Sequence, residues 1–146
     1  MSHHTIRRGL LMTSAVLAVA VVITLLVGII PPVTAEYHAG ETRQAAVMAF
    51  WFDVALFLLA AVLFAWFGVT AERRSAGRRV VTGLIGFVVI LVGLCFLDAA
   101  AAYSGHGPDM ATATTLLFGS APVAGLAGVL AIVQACRRVP RREETT

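Results

Sequence analysis

Hydrophobic residues fall into four long runs, at approximately 10–30, 45–70, 80–102 and 112–136, separated by short polar stretches. Each run approaches or exceeds the ~20 residues that a helix needs to cross ~30 Å of hydrocarbon. Nothing outside the runs is long enough for a soluble domain. The pattern predicts an all-α integral membrane protein, with residues 1–146 forming one membrane domain. Its expected architecture is an antiparallel up-down four-helix transmembrane bundle.

Composition agrees with this reading. The chain is 59% hydrophobic and 13% charged, whereas a soluble domain of this length needs more polar surface to cover its core. All the basic side chains are arginines, and they alternate in side. Arg7 and Arg8 precede the first run, and Arg73, Arg74, Arg78 and Arg79 join the second to the third. Arg137, Arg138, Arg141 and Arg142 follow the fourth, leaving Arg43 alone on the other side. By the positive-inside rule, a multi-pass protein of the cell membrane is expected, with both termini and the 71–79 loop cytoplasmic. The arginines would also meet anionic lipid headgroups. Nucleic acid is not an expected partner, because no basic face carries aromatic or motif support.

Short features refine the boundaries. Residues 1–35 have a basic start, an apolar stretch and Val33-Thr34-Ala35, which resembles a cleavage site. The apolar stretch is longer than a usual signal core, so an uncleaved first helix is expected. Pro31-Pro32 should end that helix. Residues 71–79 read as a tight inner loop, and 104–109 as an outer turn in which Asp109 or Thr112 caps the fourth helix. Pro122 should kink that helix or loosen its outer half.

Small residues recur at helical spacing: Ala20, Thr24 and Gly28; Ala45, Ala49 and Asp53; Gly86 and Gly93; Ala121 with Gly125, and Ala124 with Gly128. Such spacing lets backbones approach where lipid offers no hydrophobic drive. The same glycine-lined faces suit homo- or hetero-oligomer formation. Trp51 and Trp66, near opposite ends of the second run, suit interfacial anchoring.

Two acids interrupt the apolar runs. Asp53 lies ~12 Å and Asp98 ~7 Å inside the outer ends of their helices. Glu36, His38, Glu41, His106 and Asp109 gather on the same outer side. Acids within membrane spans commonly mark function. Desolvation penalises a charged carboxylate, which casts Asp53 as a general acid and Asp98, nearer water, as base or cation stabiliser. His38, Glu36 and His106 would support them, with a histidine relaying protons. The structural alternative has both aspartates hydrogen-bonded to Thr24, Thr112, Thr114, Thr115 or Ser120.

Other chemistry finds less support. Glu36, His38, Glu41 and His106 are suitable metal-ligand types, but their spacing matches no specific pattern. No metal or other cofactor is expected. Cys95 and Cys136 lie toward opposite membrane sides, too far apart for a disulfide. No nucleophile, nucleotide or zinc-protease motif occurs. The leading expectation is a small integral-membrane enzyme that isomerises, cyclises or opens an epoxide in a lipophilic molecule entering from membrane lipid. An accessory or assembly subunit whose acids pair with a partner's arginine is the first alternative. A proton-coupled exporter is the second.

Overall fold

The computed structural model describes residues 3–28, 43–70, 75–104 and 108–137. Among the described residues every element is helical: α1 His3–Gly28, α2 Arg43–Val69, α3 Ala76–Tyr103 and α4 Pro108–Cys136. By length and composition, each is able to cross a membrane.

Several helix ends differ from the apolar runs, for local reasons. α1 begins at His3 and takes Arg7 and Arg8 into the helix, since arginine is a good helix former. Ser75, with extended backbone, accepts the Arg78 N–H at 3.3 Å and caps α3. Arg78 and Arg79, expected in a loop, therefore lie in the first turn. α4 begins at Pro108, whose missing N–H would lack a helical partner there in any case. Asp109 and Thr112, expected as caps, are both inside the helix. α4 also continues through Pro122 as one element.

α1 and α4 form the middle of the packing. α1 packs against α2 and α4, α4 packs most extensively against α3, and α2 barely meets α3. Side-chain pairs set the register. Leu11 lies beside Gly68, the Ser14 hydroxyl donates to the Ala61 carbonyl at 2.8 Å, and Gly28 lies under the Phe50 ring. On the other flank Gly9 sits beneath Gln134, and Thr24 meets Ser120. Between α3 and α4, Gly86 faces Gly128 and Gly93 faces Ala121 and Ala124.

Three rings at seven-residue spacing line the α2 side of a core otherwise rich in alanine and valine. Phe50, Phe57 and Phe64 are fully buried on one stripe of α2, with Val54, Ala61 and Gly68 beside them. The Phe57 ring meets Phe96 of α3 edge-on, with centroids 5.5 Å apart. α2 therefore buries rings and small residues together, with Ala60, Ala61 and Gly68 beside the three phenylalanines. Ala60 is buried, Ala49 is half-buried and Ala45 is exposed. Trp51 and Trp66 remain exposed.

One end of the packing gathers the described arginines other than Arg43. The Arg78 guanidinium donates to the Thr70 carbonyl at 3.2 Å and its hydroxyl at 2.7 Å, and lies over the Phe67 ring. Arg79 Nε donates to the Ala135 carbonyl at 3.0 Å. Each cation thus closes the carbonyl end of a neighbouring helix, where the helix dipole favours positive charge.

Candidate functional site

Asp53 and Asp98 lie toward the same end of the helices but not on a shared face. Between α1 and α2, Gly28 meets Phe50 and Ser14 meets Ala61, which puts Asp53 near the level of Thr24. Thr24 meets Ser120 on α4, and the Gly93–Ala121 contact carries that level to the last turns of α3, where Asp98 lies. Thr24, Asp53 and Ser120 therefore stand near a common plane, and Asp98 lies about 7.5 Å farther along α3 than Gly93.

Their bearings differ. Phe57 touches Phe96 of α3, and Phe67 touches Arg78 of α3. At ~100° per residue Asp53 falls between the bearings of those two rings, so it lies half-buried on the flank of α2 that faces α3. Asp98 is exposed and lies about 200° around α3 from Phe96. It projects outward in line with Phe87, Leu91 and Leu94, all exposed. Glu36, His38, Glu41 and His106 lie outside the described residues, and Asp109 is in the first turn of α4.

The hydroxyl groups near this plane are mostly satisfied by backbone or by each other. Thr24 donates to the Ala20 carbonyl at 2.8 Å, which commits its single proton. The Ser120 hydroxyl lies 3.3 Å away, and with the Thr24 proton directed at Ala20 it is placed to donate to the Thr24 oxygen. Both are fully buried. Thr115 bonds within its own helix to the Ala111 carbonyl. Thr114 Oγ1 is buried and, among the described residues, has no hydrogen-bond partner.

Two features of the polar interior were not anticipated from sequence. Ser14 links α1 to the backbone of α2, and Gln134 is buried over Gly9. Ser14 does recur four residues after Leu10, on the side of α1 that meets α2. A polar residue adjoining a buried stripe was the available signal.

Among the described residues no group of three His, Cys, Asp or Glu side chains is placed to hold a metal ion. Cys95 and Cys136 are both free and exposed. No protein-family model matches the chain, and comparison with curated proteins and with solved structures gave no match.

Proposed function

We propose that the chain is a multi-pass subunit of the cell membrane that assembles with another membrane protein through the outward face of α3. Four apolar helices support insertion. The contact pairs, in which residue numbers rise along one helix and fall along its neighbour, support an antiparallel bundle. The arginines gathered at one end support cytoplasmic termini and a cytoplasmic 71–79 loop.

One observation carries the assembly reading: Asp98 points outward, away from Asp53, within a stripe of large apolar side chains. Acid–base chemistry by the pair needs both carboxylates aimed at one substrate, and these bearings do not favour that. Asp98 stands ~28 Å along α3 from Arg79, near the outer edge of a ~30 Å hydrocarbon layer. A charge at that depth costs far less than at the centre. It is well placed to select a partner helix carrying a cation, since charge complementarity contributes specificity more than raw affinity.

The half-buried Asp53, level with the Thr24–Ser120 pair, favours a second reading in which it alone donates a proton to a lipophilic molecule. Native mass spectrometry of the gently solubilised protein separates the two. Assembly predicts a stoichiometric protein partner, lost with Asp98→Asn and kept with Asp53→Asn. A small lipophilic adduct lost with Asp53→Asn, and no protein partner, would favour chemistry instead.

A further inference from the structure

α3 carries two lines of residues with the same spacing on opposite sides. Thr82, Gly86, Val89, Gly93 and Phe96 follow one another in steps of four and three, and all are buried. Gly86 and Gly93 on this line meet α4. Two residues back, about 200° around the helix, Val80, Leu84, Phe87, Leu91 and Leu94 repeat those steps, and Asp98 follows. All six are exposed.

Steps that average ~3.5 residues keep one line of a helix against a neighbour that crosses it left-handedly at ~20°. The buried line has glycines where backbones touch, and the exposed line has large side chains that suit a wider separation. Periodicity alone does not select a face on a helix that is apolar all round. Asp98 does: it holds the heptad position of Leu84 and Leu91, and a carboxylate beside acyl chains is stabilised by a pairing cation.

A second copy of this chain does not supply that cation. By sequence its arginines flank the opposite helix ends, apart from Arg43 at the start of α2. The Phe57–Phe96 contact fixes the relative level of α2 and α3. Asp98 lies ~3 Å beyond that level and Arg43 ~21 Å beyond it. Copies inserted the same way share one depth, so ~18 Å would separate the two positions, against the ~4 Å of an ion pair. Two copies packed α3 against α3 would instead set Asp98 beside Asp98, and like charges at close range oppose each other.

Granting assembly through the outward face of α3, on which this rests, we propose that the partner is a chain of different sequence. It contributes one transmembrane helix that packs along Leu84, Phe87, Leu91 and Leu94 in left-handed heptad register. That helix carries a lysine or arginine level with Asp98, in its outer third, where the long side chain reaches both the carboxylate and the interface. α3 is then the middle helix of three, with α4 on one side and the partner's helix on the other.

Photo-crosslinking of the full-length chain in native membranes tests this, with two differently tagged copies expressed together. The probe is placed in turn at Leu84, Phe87, Leu91 and Leu94, and at Val81 and Val88, exposed positions ~90° from the line. The first four should give a protein adduct and the other two lipid adducts. The crosslinked peptide should be foreign to this chain and come from a helix that holds a lysine or arginine. Asp98→Lys should abolish the adduct with no change in thermal midpoint, since position 98 is exposed. Exchanging the partner's basic residue for aspartate should then restore it. An adduct bearing both tags overturns the different partner and leaves assembly through α3 standing. Equal protein adducts from Val81 and Val88 overturn the heptad register, and no restoration by the charge exchange overturns the ion pair. No protein adduct from any position overturns the assembly reading as well.

Discussion

Gly86 and Gly128 bring the backbones of α3 and α4 into mutual contact. A Cβ on Gly86 would stand 2.8 Å from the Gly128 carbonyl oxygen, and one on Gly128 would stand 2.6 Å from the Gly86 carbonyl oxygen. Neither position has room for a methyl group, because the atom in the way is backbone rather than a side-chain tip. Close packing of this kind holds helices together where lipid is as apolar as leucine.

Alanine at either glycine should therefore destabilise the fold, by about 1–3 kcal/mol for an overpacked contact. Gly128→Ala should be the worse of the two, since Ile90 also occupies the space. Gly125→Ala, beside open space, should cost nothing and recover helix propensity. Thermal unfolding of the three variants in one detergent checks the order. Equal midpoints would contradict the seam.

The Thr24–Ser120 bond should show as a coupling between distant positions. Thr24→Val keeps the shape but leaves Ser120 without its acceptor, so the single change should cost more than its effect in a Ser120→Ala background. Interhelical hydrogen bonds in membranes average roughly 0.6 kcal/mol and reach about 1.7. A double-mutant cycle read by steric trapping or denaturant unfolding measures that coupling. Strict additivity would place the two hydroxyls out of contact.

Arg78 and Arg79 should prove to be caps as well as topology signals. Replacing Arg79 with leucine removes the donor to the Ala135 carbonyl, and about 0.3–1 kcal/mol of helix-end stabilisation is expected to go with it. Hydrogen exchange of amides near Cys136 should accelerate, while those at Gly128 stay protected. Lysine at 79 should rescue this only partly, because it lacks a donor at the Nε position. Unchanged exchange would leave the arginine with its topological role alone.

The sequence made the membrane-length helices plain because apolar runs of this length have few other uses. Small residues at Gly86, Gly93, Ala124 and Gly128 likewise marked the α3–α4 seam, since close approach demands them. The buried face of α2 was less legible. Phe50, Phe57 and Phe64 form the core while Phe52 and Trp66 face outward, and a helix that is apolar all round does not reveal which side is covered. Helix ends were missed where a local hydrogen bond decided them, as at Ser75. Spacing alone put Asp53 and Asp98 toward the helix ends opposite Arg78 and Arg79. It could not give their bearings, because those depend on which neighbour each helix chooses, and α2 chooses α1 rather than α3.

The assembly reading is tested most directly by a photo-crosslinking residue at Leu94, one turn from Asp98 on the same outward face, with Val19 of α1 as the lipid-facing comparison. Both positions are exposed. In native membranes Leu94 should give one discrete protein adduct that disappears with Asp98→Asn, while Val19 gives lipid adducts. Lipid adducts alone from Leu94, or a protein adduct indifferent to Asp98→Asn, would contradict a partner selected through that carboxylate.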